Sequence, residues 1–215
     1  MAKTIAEPIY SFIQLPELVI TAPRPNTAKA EKLVPFILDA EGGLSRSKID
    51  LASANFCPTP NPEDGYKYHT NKGITYATWK EFMGPNRDLD FYRMTDWDWF
   101  YIFKKGYWDR WKADHIFSQQ IANVLVDWVW ASGVWGIRFP QRMLGVTEDG
   151  IVGKETLSAL NQQNKDVMAR RLYARREEHF RNLAANDPKF GAPNLQGWLN
   201  RLEDLKKFNE RIKRE

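Results

Sequence analysis

The 215-residue chain has one cysteine, three histidines and no apolar run near the ~20 residues that span a bilayer. Cys57 alone excludes an intramolecular disulfide framework and a cysteine-built zinc site. His69, His115 and His179 are scattered, with no metal-ligand spacing, so neither a metal nor another cofactor is expected. The missing apolar run argues against membrane insertion. The first residues, Met1-Ala2-Lys3-Thr4-Ile5-Ala6-Glu7-Pro8, contain no apolar signal core. Synthesis in the cytoplasm without a Sec signal peptide is therefore expected.

What is present is a core. Hydrophobic residues make up 43% of the chain, nine of them Trp, enough for one domain or two small ones. The net charge is +4, and from Asp166 to Glu215 twelve Lys and Arg face eight Asp and Glu. A basic end suits an anionic partner. The mixed run Arg175-Arg176-Glu177-Glu178 reads more simply as a solvated, ion-paired helix face, so no specific nucleic-acid partner is expected.

Along the chain, Pro8, Pro16, Pro23 and Pro25 mark residues 1–28 as a tail. A first helix is expected at about 29–41. The stretch 44–69 is loop-like through Pro58, Pro60, Pro62 and Asp64-Gly65. Tyr66, Tyr68, Ile74 and Tyr76 suggest a short β-hairpin. A helix then opens with Thr75 or Thr78 as N-cap and ends at Gly84-Pro85-Asn86. Thr95-Asp96-Trp97-Asp98 starts another, running to about Gly106. Further helices are expected at about 117–131, 139–144 with Gly145 as cap, 154–161, 165–185 and 195–213. Ten aromatic residues lie between Phe91 and Trp111; they serve as core or as the lining of a sugar groove.

One acid stands out. Val34, Ile37, Leu38 and Glu41 fall on one helix face, and Gly42-Gly43 should stop that helix in the left-handed conformation. Glu41 would then sit in the last turn, among aliphatic side chains and near the negative end of the helix dipole. Both surroundings disfavour the anion. A carboxyl kept protonated is what a general acid for glycoside cleavage needs. The plainer alternative is a solvated residue at a frayed helix end.

The motifs around it have a recognisable order. Glu41-Gly42-Gly43, then Asn61-Pro62-Glu63-Asp64-Gly65, then Thr70-Asn71-Lys72-Gly73-Ile74-Thr75, with Tyr107-Trp108 downstream, resemble glycoside hydrolase family 108. Leu125-Val126-Asp127-Trp128, Pro140 to Val146 and Asp149 to Leu157 resemble the predicted peptidoglycan-binding region that accompanies that family. Gly197-Trp198-Leu199-Asn200-Arg201 resembles its closing G-W-x-x-R element. The resemblance covers about residues 30–205. It implies a mainly α, lysozyme-like α+β fold: a helical bundle with a small β-hairpin or loop excursion after the first helix. Residues 29–114 would form the catalytic region and 115–215 a helical peptidoglycan-binding region packed with it as one unit.

The implied activity is hydrolysis of the β-1,4 bond between N-acetylmuramic acid and N-acetylglucosamine by a phage or prophage endolysin. It would be a monomer, made in the cytoplasm and acting on peptidoglycan glycan strands after release. Glu41 takes the place of the family's catalytic Glu. The second acid is Asp64, in the matching Asn-Pro-Glu-Asp context, or Asp50, nine residues after Glu41; Asp64 is favoured, with 46–60 read as an insertion. Thr75 or Thr70 would hold the attacking water, although Thr75 also reads as a helix cap. Asp50, Thr70, Asn71, Tyr107, Trp108 and Asp127 are the further substrate-binding candidates, with Asn71 also fitting a turn. Asp127 alternatively forms a buried hydrogen-bonded pair with Asn123 at i, i+4. The altered 44–69 loop keeps open a non-catalytic wall-binding protein on the same fold.

Overall fold

The computed structural model describes residues 27–46 and 55–213. Among them nine α-helices and one two-stranded antiparallel sheet make a mainly helical, lysozyme-like fold. The helices are α1 (Val34–Ala40), α2 (Tyr76–Met83), α3 (Asp88–Tyr92), α4 (Asp96–Phe103), α5 (Gln119–Ser132), α6 (Trp135–Leu144), α7 (Lys154–Asn161), α8 (Lys165–Asn186) and α9 (Gly191–Ile212). The strands are β1 (Thr70–Asn71) and β2 (Ile74–Thr75). No helix of the described residues is long and apolar enough to cross a membrane. Asp50 and residues 1–26 of the expected tail lie outside the described residues.

Helix starts follow their caps. The hydroxyls of Thr75, Thr95 and Ser118 accept backbone N–H groups in the first turns of α2, α4 and α5, and Asp98 completes a capping box with Thr95. The first helix departs from expectation. A 3-10 turn (Ala30–Lys32) precedes α1, because Pro35 can enter a helix only in its opening turn. The hairpin sits at Thr70–Thr75, later than the tyrosines suggested, because Lys72-Gly73 supplies its turn. The short α3 was not expected. Pro140 lies inside α6, where it removes the N–H that would bond the Gly136 carbonyl. The Trp111 indole N–H takes that carbonyl instead, at 3.1 Å.

The core is one continuous cluster running from Ala28 to Leu205. Trp79, Trp99, Trp108, Trp111 and Trp128 are fully buried in it, so half the aromatic run between Phe91 and Trp111 (Phe91, Trp99, Phe103, Trp108 and Trp111) has no exposed surface. Helix α5 is the central element, packed against α6, α8 and α9. Its polar side chains pair inward. The Asn123 amide donates to Asn209 on α9 at 2.7 Å, and Asn209 donates to the Tyr173 hydroxyl on α8 at 2.8 Å.

Deeper still, Asp127 has no exposed surface and accepts from Arg176 of α8 at 2.6 Å and Arg201 of α9 at 2.8 Å. Arg176 is therefore a correction to the solvated face read at 175–178. Its neighbours Arg175, Glu177 and Glu178 do form exposed i, i+3 and i, i+4 pairs, whereas Arg176 is buried. Burial works against the Asp127 anion, but the two guanidinium groups outweigh it and hold the carboxyl below its ordinary range. The stability this contributes is full above the unfolded carboxyl value and is lost as pH falls through the lower folded one.

Replacing Arg176 with Ala leaves Asp127 with Arg201 as its one guanidinium partner and opens a cavity beside it. The expected loss is about 3–5 kcal/mol, read from urea unfolding. Unfolding midpoints should stay level from about pH 7 to about pH 5 and fall below it, less steeply in Asp127→Asn, which has no carboxylate at that position to protonate.

Candidate active site

Glu41 lies one residue past α1. It is the C-cap, in extended conformation (φ −103°, ψ 137°), and not part of the last turn. Gly42 and Gly43 do not adopt positive φ, contrary to expectation. The chain bends at Gly43 and Leu44 and then meets the hairpin. The Lys72 N–H donates to Gly43 O at 3.3 Å, Ser45 N–H to Thr70 O at 2.9 Å and His69 N–H to Ser45 O at 3.1 Å. The segment after Glu41 thus runs as a partial third strand along β1, which brings the acid against the hairpin tip.

That tip is a two-residue turn with both residues at positive φ, Lys72 at 46° and Gly73 at 77°. Gly73 is required twice over. A Cβ at this position would sit 2.7 Å from Glu41 Oε2, so any side chain would displace the carboxylate. The tip is tied to α4: the Lys72 ammonium pairs with Asp96 at 3.1 Å, and the Trp99 indole donates to the Lys72 carbonyl at 2.9 Å.

Glu41 is partly exposed, with 21% of its side-chain surface accessible. Its Oε1 accepts from the Trp130 indole N–H at 2.8 Å and from Arg201 Nη1 at 3.1 Å. A guanidinium and an indole N–H therefore stand where aliphatic neighbours were expected. Arg201 is itself fixed by Asp127 Oδ1, at 2.8 Å from Nη2 and 3.2 Å from Nε. It also lies 5.5 Å from the Phe36 ring centroid.

Trp130 is gripped in turn. Its ring centroid is 4.5 Å from Tyr107, 5.9 Å from Trp99 and 6.1 Å from Phe103. Tyr107 reaches it because α4 continues into a π-helical turn (Lys104–Trp108), which rotates the following side chains relative to an α-helix. Burial pushes the Tyr107 phenol up, and the Thr78 side chain beside its hydroxyl offsets part of that rise. The Thr78 hydroxyl lies 2.9 Å from that of Thr75.

The other sequence candidates are placed as follows. Thr75 caps α2 through its hydroxyl. The Thr70 hydroxyl lies 2.8 Å from His69 Nδ1, and Asn71 is buried with its amide donating to the Phe91 carbonyl at 2.7 Å. Trp108 is fully buried and donates to Asp114, which is a core position with no surface for a sugar. Asp127 likewise has none, and it binds the two arginines. Asp64 is exposed. Its oxygens accept the Tyr66 N–H at 2.9 Å and the Tyr68 hydroxyl at 2.7 Å, and those bonds hold its carboxyl below the usual range.

The structure thus gathers Glu41, Tyr107 and Asp127 through Trp130 and Arg201, with Thr75 joined through Thr78. Trp130, Arg201 and Gly73 were not singled out from the sequence. A signal for Trp130 existed, since it lies three residues after Asp127 on the same helix. No group of three metal-ligating side chains occurs among the described residues.

A carboxylate delivered by a short helix onto a β-hairpin, backed by a helical bundle, belongs to the lysozyme-like class. Residues 34–133 match the family described as Glycosyl hydrolase 108. Residues 135–203 match the Predicted Peptidoglycan domain. The two matches follow one another along the chain, and together they support a glycoside hydrolase that acts on peptidoglycan. Among solved structures, SagA of Brucella abortus has the same fold, with a TM-score of 0.65 and 21% identity over 86% of this chain and 95% of that one. No curated protein matches the chain.

Gly73→Ala tests the geometry around the carboxylate. Displacing the Glu41 side chain by an ångström or so should cut peptidoglycan hydrolysis about a hundredfold. Circular dichroism should still report the helical fold.

Proposed function

We propose that the protein is an N-acetylmuramidase, with Glu41 protonating the leaving oxygen of the β-1,4 bond between N-acetylmuramic acid and N-acetylglucosamine. The observation that carries this reading is the placement of Glu41 within the glycosyl hydrolase 108 match. The carboxyl is partly exposed and rigidly held, with one oxygen bonded to the protein and the other beside a side-chain-free glycine. Glycoside hydrolysis needs a second carboxyl to activate water or to meet the sugar cation. Asp64 and Asp50 remain the candidates. The commitment of both Asp64 oxygens to its own loop favours Asp50, reversing the preference drawn from motif context. Thr75 or Thr70 would position the water, and Tyr107 would line the approach.

Residues 29–114 and 115–215 act as one unit in this reading, the second supplying Arg201 to the first. A phage or prophage endolysin, monomeric and released to the wall after cytoplasmic synthesis, fits such a chain. The competing reading is a wall-binding protein that kept the fold. It draws on the Arg201–Glu41 ion pair, which would then be structural.

Digestion of purified peptidoglycan followed by mass spectrometry separates the two. The muramidase releases fragments ending in reducing N-acetylmuramic acid, whereas the binder pellets with the wall and releases none. Glu41→Gln should abolish release with little change in thermal unfolding. Of Asp50→Asn and Asp64→Asn, only the first should lose activity by more than about a hundredfold.

A further inference from the structure

Building on the acid role proposed for Glu41, we infer that Arg201, carried by the peptidoglycan region, is the positioning residue that decides which Glu41 oxygen delivers the proton. Oε1 receives two N–H donors, from Trp130 at 2.8 Å and Arg201 at 3.1 Å. Neither an indole N–H nor a guanidinium can accept a hydrogen bond. A proton on Oε1 would face both donors, so the neutral acid carries its proton on Oε2. That oxygen packs against Gly73, in the place a Cβ would take, and its proton faces neither donor. The glycosidic oxygen therefore meets the acid at Oε2.

The step balances simply. The Oε2 proton passes to the glycosidic oxygen, the anomeric C–O bond breaks, and its electron pair stays on the departing hydroxyl. Water adds to the sugar cation, and the proton it releases restores the acid. Between these events Glu41 is a carboxylate, and its new charge appears against Arg201. A donor fixed before the charge develops costs no reorganisation at that moment.

Charge accounting supports a role beyond packing. Asp127 is already compensated by Arg176 at 2.6 Å. The charge of Arg201 is then surplus to the interior, and its third contact, through Nη1, is to Glu41. Asp127, held by Arg176, aims the Arg201 fork, and the Phe36 ring on α1 lies beside it. Arg201 touches no sugar in this arrangement; it acts through Glu41.

The test is steady-state hydrolysis of solubilised glycan strands by the full chain, comparing wild type, Arg201→Ala, Arg201→Lys and Glu41→Gln, each with a thermal melt. Arg201→Ala should lower kcat about a hundredfold while KM stays within about threefold. Arg201→Lys should recover part of the loss, because an ammonium restores the charge without the two-pronged fork. Millimolar guanidinium ion should partly restore Arg201→Ala and leave Glu41→Gln inactive. If Arg201→Ala does not fold, a fall in kcat without a change in KM in Arg201→Lys carries the inference, and wild-type kcat in that variant overturns it. Wild-type kcat in a folded Arg201→Ala, a loss confined to KM, or no response to guanidinium also overturns it. In those cases the muramidase reading stands, provided Glu41→Gln is inactive. A wild-type chain that releases no glycan fragments refutes the muramidase reading and this inference together.

Discussion

The structure depends on one carboxylate that never meets solvent. Asp127 lies in the middle of α5 and receives a guanidinium from each of α8 and α9. Removing two or three charges from water is costly, and an apolar replacement of equal volume is often as stable. What the buried cluster supplies is registry. It fixes how three helices meet, and through Arg201 it reaches the partly exposed Glu41. The Asn123–Asn209–Tyr173 seam joins the same three helices by neutral hydrogen bonds. The bundle is thus aligned by polar contacts as well as by its aromatic core.

Glu41 is placed from both sides. From the chain itself, α1 ends, Glu41 turns extended, and the backbone bends at Gly43 to pair with β1. From across the fold, Trp130 and Arg201 close on one oxygen. Trp130 is in turn enclosed by Tyr107, Trp99 and Phe103, two of which lie on α4 and one on the π-helical turn after it. The hairpin tip is bonded to the start of α4 and of the loop before it. A single helix therefore sets both the glycine beneath the carboxylate and the ring beside it.

Much of the architecture was legible in the sequence because it is written locally. Thr75 and Thr95 mark helix starts, and Gly84 and Gly145 mark ends. The misreadings share a cause. Gly42-Gly43 look like a helix stop, but their conformation is set by pairing with a strand some thirty residues on. Arg176 looks like one charge among several, and only the packing of α8 on α5 shows that it has a buried partner. Trp108 carries the right chemistry for a sugar site, yet its place in the helix turns it inward, and Asp127 takes the buried alternative with two arginines, not Asn123, as partners. Arg201 was visible as part of a motif, but its target lies 160 residues earlier, beyond any local pattern.

That separation has a bearing on timing. A ribosome makes α1 well before α9, so a nascent chain displays Glu41 long before the matching cation exists. The constellation assembles only once α9 has been made. A chain cut short ahead of α9 would possess all of residues 34–133 and still lack the guanidinium that holds Glu41.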